Sequence, residues 1–240
     1  MIAELVIWYL VFVFSTTCHE FAHAYLAYRG GDLTAYEGGQ VSLDPLPHIR
    51  RSPFGMVLVP LLTFATSYSS AGSGWMIGWA STPFDPQWGR RNPRRQALMS
   101  LAGPLANFLL AAIAFAVLRL LLALDVFQAP HAVSFSRVVE VAGEPGARSP
   151  LGAVAMGLSV MLNLNVLLGL FNLMPIPPLD GAGVVEGAAP RQTGAFYARM
   201  RETPIMQLAG LIIAWQLFSY VAGPAFRLTL ALVHPTIIYR

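Results

Sequence analysis

The amino-acid sequence predicts an all-α polytopic membrane protein of about four transmembrane helices, with one re-entrant or membrane-associated segment and loops carrying small β-strands. Three observations predict it. Of 240 residues, 55% are hydrophobic and 11% are charged, whereas a soluble domain carries about 25% charged residues. Long apolar runs recur along the chain, beginning with "LVIWYLVFVF". The basic residues are all arginines, and most of them stand in the connections between those runs. The net charge is +3. Arg90, Arg91, Arg94 and Arg95 share one loop with no interleaved aromatic ladder, which argues for membrane topology and against a nucleic-acid partner. The single Cys18 excludes an intramolecular disulfide.

The elements follow in order. Residues 2–28 read as the first apolar helix, stopped by "RGGD"; without a basic n-region or a small-residue cleavage site it is expected to be retained. Residues 30–53 are rich in Gly and Pro, with an extended-looking "GGQVSLDPLP". Residues 54–70 are apolar but short, and 71–95 read as a loop. A long apolar helix is expected at 96–124, a polar connection with strand-like pieces at 125–150, and another apolar helix at 151–171. Prolines 175, 177 and 178 forbid regular helix in "NLMPIPPLDG". A span at 205–222 is expected to stop at Gly223-Pro224, leaving 225–238 too short to cross. The chain reads as a single membrane-embedded domain over 1–240, a core of 1–185 followed by C-terminal helices in 186–240. Arg119 and Arg227 are expected to snorkel.

The stretch "TTCHEFAHAY" carries the chemistry. In a helix His19 and His23 share a face, and Glu20 lies about 100° round from His19. This HExxH spacing suits two zinc ligands and a general base. Ionisable residues inside an apolar helix are costly, which favours the metal over simple packing. Cys18 points to another face and reads as packing. His48, His131 and His234 lack a histidine partner at ligand spacing. A catalytic zinc takes three protein ligands, and Asp180 in the proline-broken segment is the best third; on spacing alone it reads equally as a turn residue.

"HEFAH", "AGPLANF" at 102–108 and "NLMPIPPLDG" at 172–181 resemble the three signature segments of the site-2 protease family of intramembrane zinc metalloproteases. "GGQVSLDPLPHI" and "GWASTPFDP" resemble loops of its short bacterial members. The resemblance implies zinc held by His19, His23 and Asp180, with Glu20 as base. It also implies cleavage of peptide bonds within or near transmembrane helices of membrane protein substrates. Where the family usually continues LDGGR, this chain has Ala182 and Gly183. No connection is long enough for a PDZ or CBS domain. With the resemblance, Asn107 and Asn172 become candidates to bind substrate backbone or the oxyanion; interhelical hydrogen bonding is the other reading of each. "GGQVSLDPL" reads equally as a strand that pairs with unwound substrate or as a surface hairpin.

Asp180 meets the histidines only if an even number of crossings separates residues 28 and 172. The helices at 96–124 and 151–171 supply two, so 54–70 is expected to enter and return. The Arg-rich connections then share one side, cytoplasmic by the positive-inside rule, with the metal near that face. Arginine without lysine suggests a bacterial inner (cell) membrane. Two rival readings stand beside the protease. A non-catalytic protein could use the same fold to bind transmembrane partners, but all four site residues are present. A prenyl-protein-type metalloprotease would take a glutamate, Glu186 or Glu202, as third ligand.

Overall fold

The computed structural model describes residues 1–143 and 149–237. Helix α1 (Ile2–Arg29), α6 (Pro93–Ala123) and α7 (Pro150–Asn172) form the centre of the bundle. Antiparallel to α1, α6 turns a narrow strip of small residues inward: Ala102, Gly103, Ala111 and Ala114 are buried. Small side chains let the helix backbones approach closely, the main packing route where lipid supplies no hydrophobic drive between helices. Leucines and isoleucines on the other faces stay exposed, among them Leu10 on α1, Leu109 and Ile113 on α6, and Ile212 on the C-terminal helix α10 (Pro204–Val233). Five helices are long and apolar enough to cross a membrane by length and composition: residues 2–29, 54–71, 93–123, 150–172 and 204–233. The protein is an all-α multi-pass membrane protein with a two-stranded sheet.

Three expectations need correction. "GGQVSLDPLP" is not extended. Thr34–Glu37 forms the short α2, Gly39 adopts φ 72°, and Pro45 opens α3 (Pro45–Arg51). The Asp44 carboxylate caps α3 by accepting from the Leu46 amide at 2.9 Å, and proline suits the first helical turn. No strand exists there to pair with a substrate. Gly223-Pro224 does not end the last span either: α10 runs through Pro224 for 30 residues, losing one backbone bond that the rest of the ladder tolerates. Finally, the 71–95 connection contains α5 (Pro86–Arg91), and α6 starts at Pro93, not 96.

The segment 54–82 forms a deep hairpin against α1. A π-helical stretch (Phe54–Leu58) leads into α4 (Val59–Ala71), and the chain then returns in extended form. The return leg keeps its backbone donors satisfied on the helix beside it. Trp75 N–H donates to Ser67 Oγ at 3.0 Å, Ile77 N–H to Thr63 Oγ1 at 3.2 Å, and Trp79 N–H to the Gly55 carbonyl at 3.1 Å. That carbonyl is free because the π register points it at Pro60, which has no N–H. The turn of the hairpin lies by the start of α1, where Gly74 N–H donates to Glu4 at 3.3 Å. Both of its ends lie by the end of α1: Arg51 donates to the Ser81 carbonyl at 3.0 Å, and Asp85 N–H donates to Asp32 at 2.7 Å.

At the Glu4 end, β1 (Phe127–Gln128) pairs antiparallel with β2 (Glu140–Val141), and the loop between them packs into the bundle. Phe135 stacks on Trp8 with ring centroids 5.6 Å apart. At the opposite end, the Gly30 carbonyl accepts from Trp88 Nε1 and from Arg95, each at 2.9 Å, which ties α1 to α5 and α6. Helices α8 (Asp180–Ala188) and α9 (Pro190–Glu202) lie at this end. Glu144 and Arg148 of the 125–150 connection lie outside the described residues. In a Cys18→Ser background, cysteines at Arg51 and Arg91 should react with an impermeant maleimide from the same side of the membrane, and one at Ser136 from the other. Labelling of positions 51 and 91 from opposite sides would rule out the hairpin.

Candidate metal centre

His19 and His23 project from one face of α1 by their i, i+4 spacing, and both are buried. Asp180 comes from far along the chain. After α7 ends at Asn172, the residues up to Leu179 form turns in which helix cannot continue, and α8 starts at Asp180 itself. Two contacts hold that broken segment: Tyr197 Oη of α9 donates to the Pro175 carbonyl at 3.0 Å, and α10 abuts the Pro177 carbonyl at Gly210. The carboxylate is thereby delivered to the histidines. Nε2 of His19 and Nε2 of His23 are 3.0 Å apart, and Asp180 Oδ2 lies 3.1 and 3.2 Å from them.

Hydrogen bonding decides what these atoms present. His23 Nδ1 is 2.7 Å from the Met99 carbonyl, which only accepts, so Nδ1 carries the hydrogen. His19 Nδ1 is 2.6 Å from Asn107 Oδ1 and donates likewise. Metal ligation requires neutral rings, and with each hydrogen on Nδ1 both Nε2 atoms offer bare lone pairs. Asp180 Oδ2 is buried without a hydrogen-bond partner despite its proximity to both rings. Three acceptor atoms with no donor between them would repel one another; a cation at their centre removes that cost. The size fits. Zinc bonds of about 2.0–2.1 Å in a tetrahedron place ligand atoms roughly 3.3 Å apart. Among the described residues, His19, His23 and Asp180 are the group of His, Cys, Asp or Glu able to hold a metal ion together.

Gly103 of α6 forms the wall of this space. A methyl group there would collide with Nε2 of both His19 and His23. Glu20 is 5% exposed, and its carboxylate meets the hairpin's return leg. Thr82 Oγ1 lies 2.7 Å from Glu20 Oε2 and 3.0 Å from the Glu20 carbonyl, so its hydroxyl fixes one carboxylate oxygen and leaves the other free.

The remaining candidates are occupied elsewhere. Glu186 accepts from Gln96 at 3.2 Å and pairs with Arg201, tying α8 to α6 and α9. The side chain of Glu202 lies outside the described residues. His48 faces the Ser42 carbonyl, and His131 faces Glu140 at 2.7 Å. Cys18 is not in the triangle. Asn107 turns its oxygen to His19, which is not the substrate contact expected of it, and Asn172 donates to the Leu168 carbonyl of its own helix at 3.0 Å. Sequence reasoning missed three contributors. Gly103 and Thr82 lay inside quoted motifs but carried no obvious chemistry. The Met99 carbonyl is backbone and leaves no signal in side-chain identity.

Two outcomes test the geometry. Gly103→Ala should lose most of its zinc by elemental analysis, whereas Gly157→Ala, whose added methyl would meet only Ile7 at 3.8 Å, should keep it. Equal zinc in both would mean the space beside Gly103 holds no metal.

Comparison with known proteins agrees with this arrangement. The family model described as Peptidase family M50 matches residues 7–217. "Putative zinc metalloprotease YwhC" of Bacillus subtilis is 34% identical over 185 residues, covering 75% of this chain and 68% of that protein. "Putative zinc metalloprotease Rip2" of Mycolicibacterium smegmatis is 31% identical over 172 residues, 72% of this chain and about half, 53%, of the relative. The protein of that same name from Mycobacterium tuberculosis is 28% identical over 214 residues, 89% of this chain and 69% of the relative. No solved structure matches the chain. The family match runs from α1 into α10 and so encloses His19, Glu20, His23 and Asp180 together; this chain belongs to peptidase family M50.

Proposed function

We propose that the protein is a zinc metalloendopeptidase of the site-2 type, which hydrolyses peptide bonds within or near transmembrane helices of other membrane proteins. One observation carries the reading: three converging acceptors, His19 Nε2, His23 Nε2 and Asp180 Oδ2, stand beside the buried carboxylate of Glu20 inside a membrane bundle. A zinc ion held there supplies a polarised water and an electrophile for the substrate carbonyl.

The chain's own residues do the rest. Glu20 takes a proton from the attacking water as its oxygen bonds to the carbonyl carbon, and returns a proton to the amide nitrogen as the C–N bond breaks. Thr82 holds one oxygen of that carboxylate, so the other is aimed consistently. A substrate helix arrives with every peptide group internally bonded and must unwind before its carbonyl is open to attack. The arginine-rich connections all lie at the Gly30 end of α1, nearer to His23 than to Met1. By the positive-inside rule, this supports a bacterial cell membrane location with the site toward the cytoplasmic face. The non-catalytic reading has no observation in its favour, because a protein that only retains partners needs neither the acceptor triangle nor the carboxylate next to it. The third-ligand reading for Glu186 is disfavoured by its pairing with Arg201.

Cleavage of co-expressed single-span membrane proteins tests the proposal. Glu20→Gln should retain zinc and abolish cleavage; turnover within a few fold of wild type would defeat the assignment of the base. His19→Ala, His23→Ala and Asp180→Asn should lose zinc as well as activity, while Glu186→Gln should keep its zinc. Thr82→Val should lower kcat by about tenfold with little change in KM, in line with loss of one hydrogen bond to a charged group, and Thr82→Ser should restore it. An unchanged kcat in Thr82→Val would remove Thr82 from the mechanism.

A further inference from the structure

Behind His19 lies a chain of polar groups that the reaction itself does not use. Ser15 on α1, Asn107 on α6 and Asn165 on α7 are all 0% exposed. Asn107 Nδ2 donates to Asn165 Oδ1 at 2.8 Å. Asn165 Nδ2 in turn donates to the Met161 carbonyl and to Ser15 Oγ, each at 2.8 Å. Three buried polar side chains from three helices are costly unless fully bonded, and here they are bonded to one another.

The order of these bonds has a direction, and one backbone atom sets it. The Met161 carbonyl only accepts, so the end of the Asn165 amide beside it must be the nitrogen. Asn165 then presents oxygen to Asn107. Asn107 must answer with its nitrogen, which turns its oxygen to His19 at 2.6 Å. The His19 ring accordingly carries its hydrogen on Nδ1 and offers a bare Nε2 to the space shared with His23 and Asp180. If the Asn165 amide were reversed, its oxygen would face the Met161 carbonyl and its nitrogen would face the Asn107 nitrogen.

We propose that Asn165 is a positioning residue for the metal: anchored by the Met161 carbonyl and acting through Asn107, it holds His19 in the orientation and hydrogen arrangement that bind zinc. The inference rests on the metal-centre reading given above. It also assigns Asn107 to the histidine and not to the substrate. A hydrogen-bond partner of a metal-bound histidine commonly contributes about 10–100-fold in metal affinity. Asn165 stands one bond further out, and its whole effect passes through Asn107. This coupling separates it from an asparagine that merely glues helices, whose loss would act independently.

The test is zinc affinity of the purified full-length chain in detergent, measured by chelator competition for wild type, Asn107→Leu, Asn165→Leu and the double variant. Asn107→Leu should weaken zinc by about 10–100-fold, and Asn165→Leu by about tenfold. The double variant should be no weaker than Asn107→Leu alone, because contacts in series do not add. Where Asn165→Leu is not recovered folded, Asn165→Thr serves: its hydroxyl turns back to the Met161 carbonyl and leaves Asn107 without its acceptor, so the same loss is expected. Zinc affinity equal to wild type in the Asn165 variant, or a double variant weakened by the product of the two single effects, would overturn the inference. A wild-type chain that binds no zinc would instead overturn the metal-centre reading beneath it.

Discussion

Three atoms brought within 3.0–3.2 Å of one another, all of them acceptors when both rings are neutral, are the constraint on which the structure turns. Left alone they would repel in a medium with little water to screen them. They stay together because each is held from outside. The Met99 carbonyl holds His23, Asn107 holds His19, and the clasp of Tyr197 and α10 on the proline-broken segment holds Asp180. Such preorganisation suits a site that must capture a cation and then keep its geometry through a reaction. It also explains why α6, with its strip of alanine and glycine, sits so close to α1: a larger residue than Gly103 would occupy the site itself.

The membrane imposes the second rule, that backbone groups be satisfied within the protein. The hairpin of residues 54–82 meets it unusually. An extended leg beside a candidate membrane helix borrows acceptors from that helix, at Ser67, Thr63 and the Gly55 carbonyl. The hydroxyls that weaken this segment as a simple membrane span thus serve its return leg. That leg then carries Thr82 to Glu20, so the device that returns the chain also places a partner on the carboxylate proposed as the base.

Much of the fold was legible in the chain, for identifiable reasons. Helices α1, α6 and α7 were visible because apolar length is a strong signal, and the HExxH spacing was visible because helical geometry leaves the two histidines on one face. Other features depend on local competition that periodicity does not register. Pro45 reads in the sequence as part of an extended stretch, yet with Asp44 as cap it starts a helix. Pro224 reads in the sequence as a helix end, yet one missing donor does not stop a helix of 30 residues. Asn107 and Asn172 looked alike beside their motifs; only contacts between helices separate the one that faces His19 from the one that turns back on its own helix.

The sequence by itself determined the membrane class, the identity of the helices at the core, and the residues able to form a metal site. These follow from composition and from spacing along a single helix, both of which are local. What only the tertiary structure decided is which of those residues meet. Asp180 reaches the histidines through a turn of prolines clasped by α9 and α10. Glu20 meets Thr82 through a hairpin that spends its polar side chains on its own backbone, and a carbonyl on α7 orients His19 through two asparagines. Each of these depends on distances between segments far apart in the chain. Such distances are set by packing, which no local pattern of residues specifies.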